Sequence, residues 1–162
     1  LSPLALPPRD LAAFPEHVVV PGSPLFRVHR ATRRPWWFSA DGTGRFDLAP
    51  PRGTCHLASE PVGAFLEVFR DVLRIDPRDV EARRMSRLEL PRPLRLADCT
   101  AARSRGFGVT GAIHSTPDYA TSHAWAAAFA NAGFDGVRYR VSHDPSQRLG
   151  GYALFGEAGV AG

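Results

Sequence analysis

The chain has 162 residues, 44% of them hydrophobic and 22% charged. That is one domain's worth of chain with a real core, and no apolar run approaches the ~18–20 residues of a membrane-spanning helix. All 20 basic residues are Arg and the net charge is +4, too weak and too interspersed with acids to imply nucleic acid. In chain order, residues 1–24 are Pro-rich and read as an arm that packs on the body, with a short helix near Asp10–Phe14. Leu25–His29 reads as a strand, with Leu25, Arg27 and His29 on one face and Phe26 and Val28 on the other. Residues 31–51 lack a period and read as a long loop holding Trp36, Trp37 and Phe38. Gly53–Ala58 is a second strand. Ser59 and Pro61 then open a helix, with Ser59 as its cap and apolar residues at helical spacing from Val62 to Leu73. Residues 82–96 give two short strands around Pro91 and Pro93. A second helix runs from Thr116-Pro117-Asp118 to Ala132 and stops at Gly133. Gly136–Val141 and Tyr152–Phe155 close the chain as strands. Without repeat or linker, this order predicts a single α+β domain over 1–162, with a mixed or mainly antiparallel sheet and two main helices.

Two cysteines, Cys55 and Cys99, make neither a disulfide framework nor a zinc motif, and Cys55 reads as a core residue. No basic-then-apolar leader is visible, so a cytoplasmic location is expected, with export left open. Neither a membrane nor a nucleic acid is expected as a partner, and no metal as a cofactor.

The chemistry-bearing residues concentrate between Leu25 and Asp71. Arg27 sits mid-strand in an apolar run and demands an anion, either a neighbouring carboxylate or a ligand. Arg45 stands in a Gly44-Arg45-Phe46 turn where backbone approaches closely. Its fork suits a phosphate. Glu67 lies among apolar helix neighbours and, judged on spacing alone, is a helix charge paired with Arg70 or Arg74. His56 ends a strand as His56-Leu57-Ala58, where an imidazole can stack, donate a hydrogen bond or exchange protons near neutral pH.

Taken in order, the strand Arg, the Gly-Arg-Phe turn, the His56-Leu57-Ala58 strand end, the Glu in Ala64-Phe65-Leu66-Glu67 and the later Tyr139-Arg140-Val141-Ser142-His143-Asp144 resemble the RES-domain family. Its toxin members destroy NAD and are similar in fold to ADP-ribosyltransferases. The resemblance implies an ADP-ribosyltransferase-like α+β fold. It also implies an NAD-consuming enzyme that cleaves the nicotinamide–ribose bond and passes ADP-ribose to water, phosphate or a protein. Such toxins are neutralised by a helical antitoxin, which is the implied partner.

Carried onto this chain, the resemblance makes Glu67, Arg27, His56 and Ser142 catalytic, with Arg27, Arg45, Phe46, His56 and His143 binding NAD. Two positions depart from the family pattern. His56 stands where Tyr is common, and Val141 stands where the family's Ser belongs, with Ser142 one residue late. One step along a strand flips a side chain to the other face, so either a bulge returns Ser142 to the pocket or its role is lost. His123, Tyr119, Trp125, Trp36 and Trp37 read as surface or packing residues. Two alternatives follow from the departures and from the imidazoles of His56, His123 and His143: a diverged domain acting on another nucleotide, and a non-catalytic binding module.

Overall fold

The structure is a computed structural model that describes residues 4–70 and 72–160. A seven-stranded mixed sheet forms its frame. The strands are β1 (Glu16–Val19), β2 (Leu25–Arg30), β4 (Arg52–Ala58), β5 (Arg83–Leu88), β6 (Leu94–Asp98), β7 (Gly136–Arg140) and β8 (Gly150–Glu157). Their spatial order is β1-β6-β7-β8-β4-β2-β5. Only β6 and β7 run parallel. Two further short strands, β3 (Trp37–Phe38) and β9 (Gly159–Val160), pair as a separate ribbon. The helices are α1 (Pro61–Phe69), α2 (Pro77–Glu81), α3 (Ala112–Ser115) and α4 (Tyr119–Asn131), with a 3-10 turn at Ala102–Phe107. Among the described residues no helix is long and apolar enough to cross a membrane.

Strand alternation sorts the core onto two faces. Val137, Tyr139 and Ala153 pack under α4 with Trp125, Ala126 and Phe129, and Phe46 joins them from the loop. Val28 and Ala58 on the same face pack under α1 with Ala64 and Phe69. The opposite face buries Leu25, Cys55, Leu57, Leu96 and Leu154 against Phe38 and Trp36.

Several expectations change. The N-terminal arm does pack on the body, through Leu11 and Phe14. Asp10–Phe14 is a turn, closed by Phe14 N–H to Leu11 O at 3.0 Å, not a helix. The arm also contributes β1, whose alternation is too short to stand out. Ser59 does not cap α1; that position is Glu60, without a side-chain bond, and the Ser59 hydroxyl points to Gly150 O. Helix α1 stops at Phe69, and Leu73 is fully exposed. Asp71 lies outside the described residues. Val72 N–H donates to Phe69 O at 3.2 Å as the chain leaves the helix for Asp76, whose carboxylate caps α2 through Arg78 N–H. The two strands around Pro91 and Pro93 are present but are not partners, since β5 borders β2 at one edge and β6 lies beside β1 near the other.

Candidate functional site

The sheet is incomplete where β2 meets β4. Their ladder holds one pair, Phe26 with Ala58, against six between β2 and β5 and seven between β4 and β8. Two residues before His56, the same strand edge is bridged by Ser39 to Thr54, with N–H···O distances of 2.9 and 2.8 Å. Between these two bridges a cavity of about 190 Å³ opens, with α1 as its lid. Arg27, Arg45, His56, Glu67, Arg70 and Ser142 all line it.

Arg27 leaves β2 on the Leu25 side and lines the cavity from the gap. Its Nη1 donates to Pro35 O at 2.6 Å, Trp37 O at 2.9 Å and Cys55 Sγ at 3.1 Å. No carboxylate pairs with it among the described residues, so the salt-bridge alternative does not hold. Backbone dipoles fix the fork without cancelling its charge.

Arg45 is 8% exposed, donates to Thr116 O and lies over the Tyr119 ring at 4.9 Å. Burial, its largest influence, pushes its pKa down, while Tyr119, Tyr139 and Glu67 push it up. Arg70 donates to the Tyr119 hydroxyl at 2.8 Å. Tyr119, which reads as packing from sequence, therefore ties two cavity cations together.

Glu67 points inward between these cations. Burial raises its pKa above the ordinary value, opposed by Tyr139, Arg70 and Arg45. The Tyr139 hydroxyl is buried, has no partner at hydrogen-bond geometry, and faces Glu67 closely enough to oppose that rise. Gly151 makes this placement possible, because a Cβ there would sit 2.5 Å from the Tyr139 ring.

His56 projects from β4 on the α1 side. Its Nδ1 is 3.9 Å from Asp47 Oδ1, and its Nε2 has no partner. Burial, then Arg27, Arg70 and Arg45, push its pKa down to about 3. The ring is 20% exposed, through the cavity, and its surroundings favour the uncharged imidazole. Burial first, and then the three cations, thus work against the proton exchange near neutrality that an imidazole suggests.

Asp47 is a site residue that sequence reasoning missed. It accepts from Gly44 N–H at 3.0 Å, and burial raises its pKa. A Cβ on Gly44 would sit 2.4 Å from Asp47 Oδ1 and 2.7 Å from His56 Cε1. The glycine of Gly-Arg-Phe thus makes room for the Asp47–His56 pair. His123 Nε2–H donates to Gly44 O, 2.8 Å away, and so braces this loop rather than serving as a surface residue. The signal available in sequence was the acid directly after Gly44-Arg45-Phe46.

Phe46 does not line the cavity. It is fully buried against Tyr139, with ring centroids 5.0 Å apart, and anchors the loop instead of touching a ligand. Ser142 does line it, by neither of the expected routes. Strand β7 ends at Arg140, Val141 turns into the core at 1% exposure, and Ser142 emerges in the turn beyond. Strand alternation has stopped one residue too early to govern it. Asp144 organises that turn by accepting from Ser146, Arg148 and Leu149, which holds its pKa down to about 2. His143 is half-buried in the same turn and is not on the cavity wall.

The family model for the RES domain matches residues 24–161. The chain belongs to the RES-domain family. Comparison with curated proteins found no match. Among solved structures, the fold is similar to a chain of the crystal structure of the M. tuberculosis MbcT–MbcA toxin–antitoxin complex. The TM-score is 0.66 at 18% identity, over 82% of this chain and 73% of that one. The RES-domain match spans every cavity residue described above, from Arg27 to Ser142.

Proposed function

We propose that this RES-domain protein cleaves NAD at the nicotinamide–ribose bond and passes ADP-ribose to water, phosphate or a protein side chain. On this reading it is the toxin of a toxin–antitoxin pair, with an ADP-ribosyltransferase-like sheet as frame and a helical antitoxin covering the cleft. Family membership and the toxin–antitoxin complex among similar structures support the reading. The observation that carries it is the convergence of three arginines and one half-buried glutamate on a single cavity.

The reaction breaks the bond from ribose C1′ to the nicotinamide nitrogen. The electron pair leaves with nicotinamide, and positive charge grows on the ribose, as in glycoside hydrolysis. Glu67 supplies the carboxylate that stabilises this charge and orients the acceptor. Arg27 and Arg45, with Arg70, hold the pyrophosphate. Neutral His56 keeps its unpartnered Nε2 for a ligand atom, and Ser142 offers a hydroxyl from the opposite rim. The cavity is smaller than the ~300–1,000 Å³ of a full ligand site. It therefore encloses the reacting end of the dinucleotide and leaves the rest along the surface.

The test is purified protein with NAD, followed by chromatography for nicotinamide. Release should occur, and Glu67→Gln should slow it by about 10²–10³-fold, the scale of losing one preorganised electrostatic group. A folded protein that releases no nicotinamide at high enzyme concentration would sink the proposal.

A further inference from the structure

A second cavity, about 180 Å³, lies beside the first and shares Arg27, Val28 and Val68 with it. Its charged wall is entirely arginine: Arg27 and Arg30 from β2, Arg33 and Arg34 from the following loop, and Arg83 from β5. Sheet register sets Arg30 directly opposite Arg83, an arrangement of like charges that works against the strand pair. The acid near this pair is Asp79, which lies outside the cavity wall and offsets it only in part. There is no Asp or Glu between residues 25 and 37 or between 82 and 88. None of the five forms an ion pair among the described residues, whereas Arg78, Arg92, Arg95 and Arg138 each do. Burial and Arg30 push the pKa of Arg83 down, with Asp79 opposing.

The groups that do hold these arginines leave their charge intact. Arg33 lies over the Trp37 ring at 4.7 Å, and backbone carbonyls hold Arg27. Random scatter of an Arg-rich composition would mix these residues with acids, as it does elsewhere in the chain. A volume below that of a drug-sized ligand suits one compact anion rather than a second nucleotide. Forked guanidinium groups suit a phosphate.

We propose that this cavity is a subsite for a dianionic phosphate, either carried on the dinucleotide beyond its pyrophosphate, as the ribose 2′-phosphate of NADP, or taken up free. The substrate-borne form rests on the dinucleotide reading of the neighbouring cleft; the phosphate site itself does not.

Calorimetric titration of the whole protein with NADP, NAD and inorganic phosphate, at ~20 mM salt to limit screening, tests it. A double variant, Arg30→Gln with Arg83→Gln, serves as comparison, with Arg34→Gln on the exposed loop as a second variant should the first not fold. If the phosphate is substrate-borne, the native protein binds NADP about tenfold tighter than NAD. The variants then lose that preference and keep NAD affinity within about twofold. If the phosphate is free, inorganic phosphate binds the native protein and loses affinity in the variants, without an NADP preference. Equal affinities for all three ligands in native and variant protein overturn the subsite. Failure of NAD alone to bind overturns the neighbouring reading, while the phosphate titration still reads this cavity.

Discussion

At the scale of single residues, the cleft is governed by which charges stay uncancelled. Arg27 was legible because an Arg in an apolar strand needs an explanation, and Glu67 and Arg45 because the family order marks them. Asp47, Tyr119, Arg70 and Tyr139 were not, since each acts by holding another residue through contacts remote in sequence. The Tyr139–Glu67 approach spans strand and helix, and no local pattern encodes it. Two predictions belong here. Glu67 must be ionised to stabilise a cation, and burial raises its pKa. Activity should therefore rise with pH through a midpoint above the ordinary glutamate value of 4.5, measured as kcat/KM for NAD. An acid limb at or below 4.5 would remove Glu67 from that role. Gly44→Ala should displace Asp47 and His56, with a loss of about 1–3 kcal/mol in thermal or denaturant unfolding, the range for forcing extra atoms into a packed site. An unchanged unfolding midpoint would mean that the loop relaxes freely.

At the scale of elements, α1, α4 and the central strands follow from periodicity, while their ends do not. The stop of α1 at Phe69 and the stop of β7 at Arg140 are set by where the chain must go next, to the cap of α2 and around the Asp144 turn. The second of these decides Ser142, so a one-residue shift in sequence carries no matching shift in space. Helix α3 is joined to β7 by a contact that titrates. Arg140 N–H donates to His114 Nδ1 at 3.0 Å, which requires an unprotonated nitrogen. Burial, then Arg140 and Arg45, push His114 down to about 4 from 6.5. The unfolded chain thus takes up a proton that the folded one refuses. The associated stability is complete above pH 6.5 and is lost as pH falls toward 4, with a slope of at most about 1.4 kcal/mol per pH unit for one group. His114→Asn keeps an acceptor and removes the titration, so its melting temperature should vary less with pH over that window. A profile parallel to the native one would assign the acid sensitivity elsewhere.

At the scale of the whole molecule, a mixed sheet with two main helices was readable from the order of elements. Its strand order was not, because β5 and β6 are neighbours in sequence and belong to distant parts of the sheet. The seam between β2 and β4 has a mechanical consequence. The β2–β5 ribbon is stitched to the rest of the sheet by one residue pair, by the Arg27–Cys55 contact and by its packing on α1, so it is the natural unit of local opening. Amide hydrogen exchange should find β2 and β5 less protected than β8, which is flanked on both sides by full ladders. A ligand lodged across the seam supplies a missing stitch. Its binding should slow exchange on the far side, in β2 and β5, while β8 stays as it was. Protection rising equally across all strands would mean that the sheet breathes as one body.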